Sequence, residues 1–200
     1  ASAADLLGRL EAAVLRANSE LRALIRGRRG VAMGSTLVAL LVFERHFACV
    51  WSGDSRIYLL RDGRMSQVSR DHTEVQDMID SGVMTPEEAK HSPRRHVITR
   101  AIGVADTPEL DLDSGELAEG DVFLLCSDGL TGHVTDAEIE VALRDTGAQA
   151  ACEALLSLVL ERGASDNVTI VVVRRQNGGG DDGGTTRWLP NARAARRSGS

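Results

Sequence analysis

The amino-acid sequence predicts an α+β fold with antiparallel sheet. Short apolar runs alternate with tight turns, and helical periodicity is found at the start and near the end of the chain. The predicted strands follow one another through hairpins. Because a hairpin reverses the chain between neighbouring strands, antiparallel pairing is favoured over a parallel, doubly wound sheet. The 200 residues fit one domain, which we expect to span residues 1–176.

The first part of the chain is predicted to contain one long helix and two hairpins. Residues 3–26 carry apolar side chains at steps of three and four, the pattern of an amphipathic helix, and Gly27 and Gly30 are expected to end this helix. The second hairpin closes at Asp62-Gly63, a strong two-residue turn signal. The four predicted strands lie at residues 35–43, 47–51, 56–61 and 64–68.

Residues 71–100 form a long polar insertion with two short predicted helices. The second is expected to begin with a capping box, with Thr85 as N-cap, Pro86 at the first helical position and Glu88 at the third. Long ordered insertions tend to be functional. Residues 177–200 are rich in glycine and then in arginine, which predicts a linker and a disordered tail. The remaining predictions are strands at residues 121–126 and 168–174 and helices at residues 135–144 and 148–162.

Composition excludes several classes of protein. The net charge of -6 argues against a general nucleic-acid binder, because such binding depends on clustered positive charge. No apolar run approaches the roughly 20 residues of a membrane-spanning helix. The 3 cysteines are odd in number and have no close spacing, so neither a disulfide framework nor a zinc site is expected. Buried, reduced thiols and a cytoplasmic location are the prediction.

Three aspartates lie where a buried strand meets a loop: Asp54, Asp128 and Asp166. Strand ends can hold carboxylates rigidly around a common point. Hard cations such as Mg²⁺ and Mn²⁺ prefer such oxygen ligands, and a pair of them can activate water and bind phosphate. Each aspartate taken alone also fits an ordinary turn or cap, because Asp-Gly and Asp-Asn pairs are turn formers.

Six short motifs occur in an order and at spacings that resemble the PPM family, the type 2C metal-dependent protein phosphatases. The similarity is greatest to compact bacterial members and covers residues 6–174. The motifs are Gly34-Ser35-Thr36, Gly53-Asp54-Ser55-Arg56, Asp71-His72-Thr73, Arg100-Ala101-Ile102-Gly103, Asp121 through Ser127-Asp128-Gly129-Leu130, and Ser165-Asp166-Asn167-Val168-Thr169.

The resemblance implies a fold and a chemistry. The family fold is a central antiparallel β-sandwich flanked by helices, in α-β-β-α layers. Asp128 and Asp166 would ligate a dinuclear pair of Mg²⁺ or Mn²⁺ ions, and Asp54 with Asp128 would hold a third, weaker ion. The implied reaction is hydrolysis of phosphoserine and phosphothreonine by a metal-activated water. The implied partners are phosphorylated proteins, the products of a serine/threonine kinase.

Family members also carry an N-terminal Asp-Gly-x-Gly-Gly segment, a phosphate-binding arginine and a histidine general acid, and none of these occurs here. We therefore expect a fold that is incomplete at its N-terminus and a chain without its own catalytic acid. A truncated or degenerate, non-catalytic module that binds a regulatory partner is the alternative. A phosphatase that acts on regulators of sigma factors would share the chemistry and differ in target.

The insertion at residues 71–100 resembles the mobile flap of the bacterial members. Within it, His96, Arg94 and Arg95 are candidates for binding a phosphopeptide, since arginine pairs well with phosphate. A solvated loop is the other interpretation. His72 is predicted to cap or hydrogen-bond locally at the start of this insertion.

Overall fold

The computed structural model describes residues 2–26, 33–144 and 146–175. The predicted linker and tail, and the glycines Gly27 and Gly30 expected to end the first helix, lie outside these residues. In the described part, the helices are α1 Ala3–Ile25, α2 Glu74–Asp80, α3 Pro86–His91, α4 Asp128–Thr131, α5 Asp136–Leu143 and α6 Ala148–Glu161. The strands are β1 Leu37–Phe43, β2 His46–Ser52, β3 Arg56–Arg61, β4 Arg64–Gln67, β5 Asp111–Glu116, β6 Val122–Cys126 and β7 Ile170–Arg174.

The described residues divide into two compact units, the first within residues 1–57 and 67–117 and the second within residues 58–66 and 118–200. The first unit contains a three-stranded antiparallel sheet in the order β1-β2-β5. The four-stranded sheet β4-β3-β6-β7 belongs mainly to the second unit. Helices and antiparallel strands together confirm the predicted α+β class.

In the first unit, α1 is joined to the segment that follows the insertion through one buried amide. The Asn18 side chain is 1% exposed. Its oxygen accepts the Gly103 N–H at 2.7 Å, and its nitrogen donates to the Ala105 carbonyl at 3.1 Å. A buried amide with both ends bonded fixes a helix more specifically than apolar contact alone, because an unpaired end would cost about 1–3 kcal/mol.

The second unit has a continuous apolar core between its sheet and its helices. Phe123 and Leu125 point to one face of β6, while Val122, Leu124 and Cys126 join the core with β7 and the helices. An ion pair with a buried carboxylate lies beside it: Asp121 is fully buried and accepts two hydrogen bonds, at 2.7 and 2.6 Å, from the partly exposed Arg61 guanidinium. The core helices contribute Leu130, Ile139, Leu143, Ala151, Leu155 and Val159.

Most predicted elements are confirmed to within two residues, and two elements were missed. Strand β5 has the polar sequence Asp-Leu-Asp-Ser-Gly-Glu and lies at the edge of its sheet, so it lacks the apolar run that marks a buried strand. Helix α4 follows Ser127 directly, where the sequence predicts only a turn. No helix in the described residues combines the length and apolar character needed to span a membrane.

Candidate functional site

Asp54 lies in a tight turn between β2 and β3, within the first unit. The preceding Gly53 has φ +109°, and a Cβ there would come within 2.4 Å of the Thr36 Cγ2, so only glycine fits. The Thr36 and Ser55 hydroxyls are hydrogen-bonded at 2.9 Å. Asp54 itself is only 9% exposed. The turn that carries this carboxylate is therefore closely packed on the side of Thr36.

Asp71 and His72 hold both ends of the same turn. The Asp71 carboxylate accepts from Arg56 Nε at 2.9 Å and Nη2 at 2.7 Å, a bidentate pair. The His72 N–H donates to the Gly53 carbonyl at 3.0 Å, and the Gly53 N–H donates to His72 Nδ1 at 3.1 Å. His72 thus binds both peptide groups of the residue that precedes Asp54.

The His72 ring is buried and has one defined tautomer. Since Nδ1 accepts from Gly53, the ring proton lies on Nε2, which faces Asp111 Oδ2 at 3.1 Å. Arg100 Nη1 donates to the other Asp111 oxygen at 2.9 Å. Burial raises the pKa of Asp111, but the hydrogen bond from His72 and the charge of the nearby Arg100 outweigh it and leave the pKa lowered. Trp51 stacks on the ring with 6.5 Å between centroids.

The segments that carry Asp128 and Asp166 interlock in the second unit. The Ser127 N–H donates to the Thr169 carbonyl at 3.1 Å, and the Thr169 N–H donates to Ser127 Oγ at 3.0 Å. A Cβ on Gly129 would lie 2.2 Å from the Asn167 carbonyl oxygen. The start of α4 and the turn before β7 are therefore in direct backbone contact, and both aspartates lie at this junction.

A second set of contacts holds the Asp166 turn from its other side. His133 Nε2 lies 3.0 Å from Ser165 Oγ and accepts the Ser165 N–H at 3.3 Å. Arg162 donates to the His133 carbonyl and to the Glu138 carboxylate. The hydrogen bonds from Arg162 and then from Thr135 lower the pKa of Glu138 to about 2. These contacts are exposed, unlike those of His72.

The donor chemistry at the junction suits a hard divalent cation. Neither Asp128 nor Asp166 forms an ion pair within the described part of the chain. One Asp166 oxygen accepts the Asn167 N–H at 2.7 Å, which orients the carboxylate and leaves lone pairs for a ligand. Among the described residues, no three or more His, Cys, Asp or Glu side chains are grouped to hold a metal ion. The two carboxylates of Asp128 and Asp166 thus fit part, and not all, of a Mg²⁺ or Mn²⁺ ligand set.

The three candidate phosphopeptide residues are all exposed. Arg94 forms an ion pair with Glu74 of α2 at 2.6 Å, and Arg95 Nη1 donates to the Ser92 carbonyl at 3.4 Å. The charge of Arg94 is therefore already partly satisfied within the insertion. Binding of a phosphopeptide by His96, Arg94 and Arg95 stays a prediction.

Two contributors near Asp54 were not recognised from the sequence. His72 was expected to bond locally, but its partners are Gly53 and Asp111, 19 and 39 residues away along the chain. Asp111 was assigned to no element, because the polar strand β5 resembles a loop. The pairing of β2 with β5, which sets Trp51 opposite Asp111, brings Asp111 into this region. Sequence spacing carries no signal for such a pairing.

Comparison with known proteins identifies the family. Residues 2–176 match the family model described as Stage II sporulation protein E (SpoIIE). The serine/threonine protein phosphatase PstP of Mycobacterium tuberculosis is 42% identical over 168 residues, which are 84% of this chain and 32% of that protein. The chain thus spans about a third of that relative's length.

Solved structures agree with this similarity and with the predicted fold class. The crystal structure of Mycobacterium tuberculosis PstP/Ppp superposes with a TM-score of 0.80 at 41% identity, over 86% of this chain and 74% of that one. The catalytic domain of PstP in complex with 2 manganese ions superposes with a TM-score of 0.74 at 41% identity, over 86% and 72%. This chain belongs to the SpoIIE-type PPM family of bacterial serine/threonine phosphatase domains.

Proposed function

We propose that this chain carries the metal-binding part of a protein phosphatase that hydrolyses phosphoserine and phosphothreonine. The single observation that carries the proposal is the interlocked junction of the Asp128 and Asp166 segments, where Gly129 leaves no room for a Cβ beside the Asn167 carbonyl. Two carboxylates on segments fixed this closely repel each other unless a cation lies between them. The similarity to a phosphatase domain solved with 2 manganese ions supports the same assignment.

Asp128 and Asp166 would hold the principal ions, and Asp54 would help to hold a further one. When bound, Mg²⁺ or Mn²⁺ supplies a water molecule of lowered pKa as the nucleophile for phosphorus. The chain's own residues keep the ligands in place: Ser127 and Gly129 fix the Asp166 turn against α4, and Asp71 and His72 fix the Asp54 turn. We further propose that the exposed His96, Arg94 and Arg95 meet the phosphorylated protein.

The proposed partners are phosphorylated proteins produced by a serine/threonine kinase, and the proposed location is the cytoplasm. Support for a reducing compartment comes from the cysteines. Cys49, Cys126 and Cys152 are all free thiols, the first two buried. Burial, followed by the charge of Asp113, raises the pKa of Cys49 to about 12, so this thiol is kept in its unreactive protonated form.

The test joins this chain to an N-terminal segment bearing the Asp-Gly-x-Gly-Gly motif of the family and measures phosphate release from a phosphothreonine peptide. We expect activity with Mn²⁺ and none with EDTA. Asp128→Asn and Asp166→Asn should each lower kcat/KM at least about 100-fold, because a lost metal ligand removes the activated water. Glu119→Asn, an exposed change away from the junction, serves as the control.

Two outcomes contradict the proposal. Full activity in Asp128→Asn or Asp166→Asn would separate the junction from catalysis. Mn²⁺ binding without any hydrolysis in the extended protein would instead favour a non-catalytic module that binds a regulatory partner. Circular dichroism of each variant must match that of the parent protein, so that a lost ligand is not confused with a lost fold.

A further inference from the structure

We infer that His72 is a positioning residue for Asp54: it fixes the peptide groups on the N-terminal side of Asp54 so that the carboxylate is held ready for a metal ion. This inference rests on the proposed function, since it assumes that Asp54 is a ligand. In this role His72, in one defined tautomer, contacts neither the ion nor the substrate and acts through Gly53.

His72 contacts Gly53 through both its ring and its backbone. The Gly53 N–H donates to the His72 ring at Nδ1 (3.1 Å), and the Gly53 carbonyl accepts the His72 backbone N–H (3.0 Å), so neither peptide plane that flanks Gly53 can rotate without breaking a buried bond. The turn is closed on its other side by Asp71, which binds Arg56 at 2.7 Å. Adjacent residues at the start of the insertion therefore hold both ends of the Gly53–Arg56 turn.

The orientation of the His72 ring is set by its hydrogen-bond partners. Only an unprotonated Nδ1 can accept the Gly53 N–H, and this requires the proton on Nε2. Asp111 selects that tautomer by accepting from Nε2 at 3.1 Å, while Arg100 holds the Asp111 carboxylate at 2.9 Å. The chain Arg100–Asp111–His72–Gly53 resembles the carboxylate–histidine arrangement that orients metal ligands elsewhere, with a peptide group in place of the ligand.

The hydrogen-bond partners of His72 distinguish positioning of the Asp54 turn from simple filling of the core. Any buried imidazole, including one that only filled space against Trp51, needs partners for its nitrogens, so the identity of those partners is what separates the two roles. His72 is 5% exposed, and both of its nitrogens face partners. Two conservative variants divide these roles. His72→Asn keeps an acceptor near the Nδ1 position and loses the reach to Asp111, whereas His72→Gln keeps a donor near Nε2 and loses the acceptor for Gly53.

The experiment titrates Mn²⁺ into the full chain, with free Mn²⁺ measured by electron paramagnetic resonance, and follows exchange of the Gly53 amide by nuclear magnetic resonance. His72→Gln should lose Gly53 amide protection and bind Mn²⁺ about 10-fold more weakly, within the range for a lost supporting contact. His72→Asn should retain the protection and an affinity within about threefold of wild type. Asp54→Asn gives the effect of losing the ligand itself.

Asp111→Ala provides a second test on a half-exposed side chain, in case His72→Gln does not fold. It should shift part of the ring population to the Nδ1–H tautomer, visible in the ring ¹⁵N shifts, and reduce Gly53 amide protection. Equal behaviour of His72→Asn and His72→Gln, or an unchanged Gly53 amide in Asp111→Ala, overturns the inference. A wild-type chain that binds no Mn²⁺ contradicts the proposed metal site instead, and Gly53 amide exchange then decides the role of His72 in the turn.

Discussion

The two units hold their aspartate turns by opposite means. In the first unit, the Asp54 turn is held by a buried ring, His72, whose two nitrogens bind Gly53 and Asp111. In the second unit, the Asp166 turn is held by direct backbone contact with the start of α4, and the histidine beside it, His133, is only half-buried. We expect similar hydrogen bonds in the two units to carry different energies, because burial decides what the unpaired group costs when one partner is removed.

The largest effect is expected at the backbone junction of the second unit. Gly129→Ala places a Cβ 2.2 Å from the Asn167 carbonyl oxygen, and a backbone atom cannot move aside as a flexible side chain can. We expect the free energy of unfolding to fall by about 3 kcal/mol, with loss of protection at the Thr169 amide. Urea denaturation followed by circular dichroism and hydrogen exchange measures both quantities.

Gly147→Ala is the matched control in the same unit. Nothing lies within 4 Å of a Cβ at Gly147, which is the N-cap of α6. The expected loss is below about 1 kcal/mol, the cost of a poorer capping residue. If Gly129→Ala is no more destabilising than this control, the two segments do not depend on close contact for stability.

The next largest effect is expected when the buried His72 ring of the first unit is removed. His72→Ala leaves the Gly53 N–H without its acceptor in a buried place and removes the ring that stacks on Trp51. We expect a loss of about 2–3 kcal/mol in the free energy of unfolding. Urea titration with Trp51 fluorescence gives the value, and a loss below that of His133→Ala would contradict the role assigned to burial.

The corresponding change in the second unit should be smaller. His133→Ala removes contacts to Ser165 at 3.0 and 3.3 Å, but water can replace them because Ser165 is exposed. The expected loss is below about 1 kcal/mol. Hydrogen exchange at the Ser165 amide should rise while that at Thr169 stays slow, since Thr169 is bound through Ser127. Equal loosening of both amides would mean that His133, and not the junction, holds the turn.

The sequence predicted the elements of the second unit's junction but not the strand on which the His72 contacts of the first unit depend. Asp128 and Asp166 each follow or precede a predicted apolar strand, and the structure pairs those two strands, β6 and β7, directly. The capping box at Thr85 was likewise predicted correctly, since it depends only on residues three apart. The contact of the His72 ring with Asp111 depends on the pairing of β2 with β5, and strand β5 was not predicted because its sequence is polar. Local sequence signals were sufficient to predict strands with apolar runs and helix caps, whereas an edge strand without apolar alternation could not be predicted from them.

The smallest expected effect concerns the pH dependence of the exposed contacts around His133. Arg162 and Thr135 lower the pKa of Glu138 from 4.5 to about 2, so its carboxylate is stabilised in the folded state. The contribution is fully present above the unfolded pKa of 4.5 and is lost as the pH falls through about 2. Because the group is exposed, solvent screening keeps the contribution small.

Glu138→Gln should therefore show a slightly lower Tm than wild type at pH 6, and the two values should converge towards pH 2. Glu119→Gln, exposed and without an ion pair in the described part of the chain, should follow wild type throughout. A difference between Glu138→Gln and wild type that stays constant from pH 6 to pH 2 would show that charge on Glu138 contributes nothing to the second unit's outer contacts.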